Sequence, residues 1–300
     1  MSWPRLYYCD HYAIPLPDGH KFPMRKYAMV RDLLAADGVY RFEQAAFADP
    51  AVIRLAHDPR YVNGILDGSV DRAIIRRIGF PWSEGLVRRT LASVGGSLAA
   101  ASDAMEYGWG GNLAGGTHHA FYGEGSGFCV FNDIAVIIQW LRAEGRVRRV
   151  AVVDLDVHQG DGTAQIFEND GDVLTFSMHG KNNFPFRKQR SNLDIELANG
   201  TGDEEYLDLL SHALPRVFHF SPDLVIYQSG VDALETDTLG KLALTMAGLT
   251  QRDRMVLTAV REYGAPLVIT LGGGYSVPLE ATAEAHANTF RAALEILCGG

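Results

Sequence analysis

The chain reads as an α/β protein built on a mainly parallel sheet. Three features of its sequence carry that expectation. Four short runs are almost continuously apolar and β-branched, as in strands covered on both faces. Helical patterns lie between and around them. Each run then opens into a polar or glycine-rich segment.

Taken along the chain, apolar periodicity predicts helices over Met24–Ala36, Glu84–Met105 and Asp133–Glu144. The strands expected are Arg149–Val153 (RVAVV), Val173–Ser177 (VLTFS), Leu224–Gln228 (LVIYQ) and Leu267–Leu271 (LVITL). Helices over Glu204–Phe218, Met246–Tyr263 and Leu279–Leu297 fill the remaining spaces, with right-handed crossovers expected. No repeat, low-complexity tract or Pro/Ser-rich linker divides the 300 residues, so one domain over 1–300 is expected.

Composition narrows the class. A 47% hydrophobic and 21% charged chain has ample core material. No apolar run approaches the roughly 18 residues that cross a bilayer. The start, MSWPRLYYCDHY, lacks the features of a secretory signal. Cys9, Cys129 and Cys298 are too dispersed for a disulfide framework and form no CxxC, so a reducing, cytoplasmic compartment is expected. The net charge of −9 disfavours nucleic acid as a direct partner. Two basic groups run against it: Arg72, Arg76, Arg77, Arg88 and Arg89, then Arg187, Lys188 and Arg190. They read as solvated faces or as a rim facing substrate.

The segments after the strands are DLDVHQGDGT, MHGKNN, SGVDALETD and GGGYS. Sites in open α/β sheets form outside the carboxyl ends of the strands, so four strand ends deliver side chains to one place. In extended chain Asp154, Asp156 and His158 share a face. Two acids and an imidazole near the interior call for a cation, and Asp156 and His158 are zinc donors. Asp232 or Asp237 supplies a third ligand; spacing alone does not separate them. Such a set also accepts ferrous iron. His118 and His119, tandem in a glycine-rich segment, are suited to exchange protons near neutrality, with Asp154 and Asp161 available to fix their tautomers. Tyr275 follows a glycine turn that lacks GxGxxG spacing, so it reads as a hydrogen-bond donor to a polarised carbonyl rather than as part of a phosphate loop.

GGTHHAF, GFCVFNDIAV, VDLDVHQGDGT, SGVDA and LGGGY, in this order from Gly115 to Tyr275, closely resemble the zinc-dependent histone deacetylase family. HKFPMRKY, DVHQGDGT and the short length look most like its compact class IV and bacterial members. The resemblance implies a single arginase-like three-layer α/β domain with an eight-stranded, mainly parallel sheet. It implies Asp156, His158 and Asp232 as zinc ligands, thereby choosing Asp232 over Asp237. His119 with Asp161 would be general base and then acid, His118 with Asp154 mainly electrostatic, and Tyr275 the donor to the substrate carbonyl. A structural potassium is implied at Asp154, Asp156, His158, Ser177 and Met178, partly through backbone carbonyls. Gly127 and Phe128 would line an acyl-lysine tunnel with Leu239 at its mouth; Phe186 is the expected opposite wall, with Phe184 its competitor in the divergent loop FPFRKQR. Two-metal arginase-type relatives carry DxHxD, whereas Gly160 stands at the second acid here, so one metal is expected.

The implied substrate is an acyl-lysine of a protein or peptide, with a small acetylated amine as alternative. Members preferring acetylpolyamines place an acid where Leu239 stands. A non-catalytic acyl-lysine-binding scaffold would have lost a ligand, a histidine or the tyrosine, and none is missing.

Overall fold

The structure, a computed structural model, describes residues 5–299; the start of MSWPRLYYCDHY and the final glycine lie outside it. Strands β1 (Arg5–Tyr8), β2 (Arg41–Gln44), β3 (Trp109–Asn112), β4 (Val150–Asp154), β5 (Val173–Gly180), β6 (Leu193–Leu197), β7 (Leu224–Gln228) and β8 (Leu267–Thr270) form one sheet. Its order is β2-β1-β3-β8-β7-β4-β5-β6, and every pairing is parallel. The four strands expected from sequence are the contiguous run β8-β7-β4-β5.

That run was legible because it is buried on both faces. Along β4, Val150 and Val152 enter one core while Ala151 and Val153 enter the other. Leu224 and Ile226 alternate likewise with Val225 and Tyr227 on β7. This period of two divides the side chains between two helical layers.

On one face pack α1 (Lys26–Ala36), α8 (Asp203–His219), α9 (Met246–Tyr263) and α10 (Leu279–Ala293), through Leu34, Leu210, Leu257 and Phe290. On the other pack α3 (Pro59–Asp67), α5 (Glu84–Tyr107) and α6 (Asp133–Ala143), through Ile65, Ala101 and Ile137. Three short helices, α2 (Pro50–Ile53), α4 (Arg72–Ile78) and α7 (Asp161–Ile166), complete the set. Caps set several boundaries: Ser83 Oγ and Asn132 Oδ1 accept from Leu86 N and Ala135 N, and Gly264 ends α9 in the left-handed region. The helix expected over Leu279–Leu297 is α-helical only to Ala293, then closes in a π turn, Leu294–Cys298.

The cysteines Cys9, Cys129 and Cys298 are free, and no described helix is long and apolar enough to cross a membrane.

Candidate active site

Five neighbouring strands, β3, β8, β7, β4 and β5, send their carboxyl ends to one cavity of about 430 Å³. Its floor holds the one group of metal-ligand type found among the described residues: Asp156, His158 and Asp232, all buried, with donor atoms within 4.8 Å of one another. His158 Nδ1 lies 3.0 Å from Asp156 Oδ1 and 3.0 Å from Asp232 Oδ2. Burial opposes charge on His158, but Asp232 and then Asp156 overcome it and push the imidazole up to about 10. The two carboxylates thus favour positive charge at this point of the floor.

The strand geometry expected here holds only in part. β4 ends at Asp154 and the chain then bends, so Asp154 turns to His118 while Asp156 and His158 turn to Asp232. Asp232 Oδ1 also accepts from Val157 N at 2.8 Å, tying the two loops together. Asp237 is turned elsewhere: it accepts from the N–H groups of Leu239, Gly240 and Tyr275. Two glycines are required by close approach. A Cβ on Gly273 would stand 1.9 Å from Asp232 Oδ2, and one on Gly160 would stand 2.3 Å from Asp154 Oδ2. The second position therefore has no room for the acid of a two-metal site.

Both histidines of the tandem pair are buried at the floor, their ring centroids 4.1 Å apart. His118 Nδ1 donates to Asp154 Oδ2 at 2.7 Å and His119 Nδ1 to Asp161 Oδ1 at 2.6 Å. Each Nε2 is thereby left as the atom available for chemistry. The pair is electrostatically split. Burial works against the His118 cation, yet Asp154 and Asp156 hold it up at about 9. Burial and the neighbouring His118 push His119 down to about 4. His119 is thus a neutral proton acceptor beside a cationic partner.

Tyr275 lines the same cavity, and burial raises its hydroxyl well above the ordinary value, keeping it a donor. Its backbone N–H is pinned to Asp237 Oδ2 at 2.6 Å. Beneath its ring, at 5.3 Å, lies Lys26 Nζ, wholly buried and donating to Gly272 O at 2.9 Å.

Above the floor the walls are aromatic. Phe128 has φ 65°, a left-handed conformation costly for a bulky residue, and its N–H is fixed to Ile78 O at 2.7 Å. Its ring packs with Phe22 and Phe80. Phe184 stands edge to face with His119 at 4.9 Å, whereas Phe186 is 89% exposed at the rim. The inner wall expected at Phe186 is therefore formed by Phe184: the loop FPFRKQR sets the half-buried Phe184 ring against His119, buries Pro185 and turns Phe186 outward. Gly127 and Leu239 also line the cavity.

The sequence profile of the histone deacetylase domain matches residues 20–293. Histone deacetylase 2 of Arabidopsis thaliana is 34% identical over 272 residues, covering 85% of this chain and 70% of that protein. An uncharacterized protein of Picosynechococcus is 45% identical over 99% of this chain and 100% of its own length.

The chain belongs to the histone deacetylase family. Solved structures agree in fold: the HDA15 HD domain superposes with a TM-score of 0.77 at 23% identity, covering 98% of this chain and 94% of that one. An acetylpolyamine aminohydrolase from Burkholderia pseudomallei gives 0.76 at 22%, covering 97% and 99%. The family's reaction class is hydrolysis of an acetylated amide, which makes the chain a deacetylase.

Several supporting residues were not singled out from sequence. Gln228 Nε2 donates to Asp156 Oδ2, while its Oε1 accepts from Gly230 N. Asp133 holds the GGTHH segment through Gly116 N and Thr117 N. Wholly buried Arg252 reaches the carbonyls of both Leu155 and Gly230, each beside a ligand-bearing loop. Two of the supporting residues had a sequence signal: Asp133 lies inside GFCVFNDIAV and Lys26 inside HKFPMRKY. Met178 and Ser177 lie on β5, with Ser177 in register opposite Asp154 and its Oγ 2.9 Å from His179 Nδ1. The basic groups divide. Arg89 is buried with its guanidinium over Tyr27, Lys188 is turned onto Asn183 O and Pro185 O, and Arg77 lines the cavity mouth.

Proposed function

We propose that this deacetylase removes acetyl or longer acyl groups from the side-chain amine of lysine in proteins or peptides, with zinc as its metal. The observation that carries this reading is a cavity with aromatic walls, Phe128 and Phe184, leading to the buried Asp156–His158–Asp232 group beside two histidines of opposite charge preference. The donor set fits zinc: two carboxylates and one imidazole, converging, buried, and short of positive charge. Ferrous iron suits the same donors. Asp154 is raised by burial despite His118, so the adjoining segment is also short of positive charge, which suits potassium held by Asp154, Ser177 and the backbone near Met178.

Zinc held by Asp156, His158 and Asp232 would supply Lewis acidity to the amide carbonyl and acidify the attacking water. His119 Nε2 takes the proton of that water and returns it to the departing lysine nitrogen. His118, cationic beside Asp154, stabilises the negative charge that grows between the two events. The Tyr275 hydroxyl donates to the carbonyl oxygen as its charge develops. Phe128 and Phe184 exclude water from the acyl-lysine stem.

Replacing Tyr275 by phenylalanine should lower turnover of acetyl-lysine peptides about 100- to 1000-fold while metal content stays unchanged. Near-normal turnover of Tyr275→Phe would sink the assignment. Acetylpolyamines are a second reading, favoured by likeness in fold to an acetylpolyamine aminohydrolase. Apolar Leu239 and the cations Arg77 and Lys241 at the mouth count against it. Assays on acetyl-, butyryl- and myristoyl-lysine peptides and on acetylpolyamines separate the two and rank the acyl chains.

A further inference from the structure

We infer that the cavity mouth selects acyl-lysines flanked by acidic residues, through Arg77, Lys241 and the basic loop that carries Phe186. The inference rests on the deacylase reading above and deepens it.

In a chain of net charge −9, the residues lining the cavity include only one carboxylate, Asp156, and it lies at the metal end. The charged side chains at the other end are Arg77 and Lys241. Lys241 is exposed, with Nζ 2.8 Å from Asn182 O, so it is held at the rim without an acidic partner. The loop after β5, residues 181–192, reads KNNFPFRKQRSN and contains no acid. It lines the mouth through Asn182, Asn183, Phe184 and Phe186. Lys181, Arg187 and Arg190 on this loop are exposed, and Phe186 adds an apolar surface beside them. Two carboxylates of the surrounding loops are already engaged: Glu124 with Arg77, and Asp237 with three backbone N–H groups.

A lysine side chain reaching the floor leaves its own backbone and neighbours at this rim. Carboxylates one to three residues away would meet a cationic rim in which Arg77 is paired with Glu124 and Lys241 has no acidic partner, whereas lysine or arginine neighbours would be repelled. The same field repels a free polyamine. An acidic acyl chain is a different matter, because its carboxylate would lie at the metal end, far from these groups. Steering of this kind acts mainly on encounter and weakens with salt.

The test uses zinc-loaded enzyme and acetyl-lysine peptides matched in length, with Asp/Glu, Gly/Ala or Lys/Arg flanks. At low ionic strength kcat/KM should fall in that order, by about tenfold between the extremes, and the spread should shrink in 1 M salt. Lys241→Glu and Arg187→Glu should each compress or invert the order. Glu124→Gln, which releases Arg77, should widen it and so supports the inference independently if a charge reversal misfolds. Equal kcat/KM on all flanks with ordinary turnover, or a preference for basic flanks, would overturn the inference and leave the deacylase reading intact. No turnover of any peptide would overturn both. Inhibition by a short DNA oligonucleotide at 150 mM salt, with no preference among peptides, would overturn it in favour of a phosphate-binding rim.

Discussion

The floor and the mouth of the cavity are built on opposite terms. At the floor all three histidines are buried and each is held by at least one carboxylate: His118 by Asp154, His119 by Asp161, and His158 by Asp156 and Asp232. Asp156 is in turn held by Gln228, and Arg252 fixes the two ligand-bearing loops through the carbonyls of Leu155 and Gly230. At the mouth Phe186 is exposed, Arg77 pairs with Glu124 across a partly solvated gap, and Lys241 leans on a backbone carbonyl. Groups in low dielectric act strongly and must be pre-positioned; groups in water act weakly and can vary. Chemistry therefore belongs to the floor and discrimination among substrates to the mouth.

The largest effect should come from the floor. His119→Gln removes the proton acceptor and should lower kcat about 100- to 10,000-fold, with zinc content and KM little changed. A kcat within a factor of a few of normal, measured beside metal analysis, would show that the burial-depressed imidazole is not the base.

The junction between the regions is next. Buried His57 binds Phe121 O through Nδ1 and accepts from Asn132 N through Nε2, latching both ends of the loop that carries Phe128. Burial lowers its pKa from 6.5 to about 4. The unfolded chain thus takes up a proton that the folded state refuses, so stability is whole above about pH 6.5 and is lost as pH falls toward 4. The loss amounts to about 3 kcal/mol. Denaturant unfolding of metal-free protein at pH 7, 5.5 and 4.5 should show it, and His57→Gln should flatten that slope. An unchanged slope would break the latch.

Arg252 probes how far the floor depends on what lies beneath it. Its Nη1 joins Leu155 O and Gly230 O, while Asp253 accepts from its Nε and Nη2 and is itself held by Tyr227 and Thr289. Arg252→Lys should weaken zinc binding about 10- to 100-fold in competition with a chelator. Wild-type affinity in that variant would confine the arginine to packing.

The smallest effects should arise at the walls. Phe184→Ala should raise KM for acyl-lysine peptides about tenfold with a lesser change in kcat, whereas Phe186→Ala should change it less than about threefold. Steady-state kinetics of the two variants would reverse the assignment of inner wall and rim if Phe186 proved the costlier loss.

The parts of the fold legible from sequence were those where burial imposes a pattern. RVAVV, VLTFS, LVIYQ and LVITL announce themselves because both faces are covered. The edge strands do not. β2 is RFEQ and largely exposed, and β6 is LDIEL with only its ends buried. β3 is WGGN, a central strand with no β-branched residue, where close packing decides the composition. A Cβ on Gly110 would stand 2.0 Å from Ala100 O, so α5 presses directly on that strand. Strand propensity is absent there because neighbours leave no room for it.

The sequence by itself determined which chemical groups exist and that strand ends would gather them: two aspartates and a histidine of metal-ligand type, a histidine pair with acids to orient it, and a tyrosine after a glycine turn. Spacing left the partnerships open and the family resemblance implied them, but only the tertiary structure shows the contacts. It turned Asp232 to His158 and Asp237 to backbone N–H groups, and it set Phe184 against His119 while exposing Phe186. It also brought Arg252 under two loops distant in sequence and collected scattered cations at one rim. Local patterns report the burial of a segment, whereas the direction of a loop side chain depends on contacts between residues far apart in the chain.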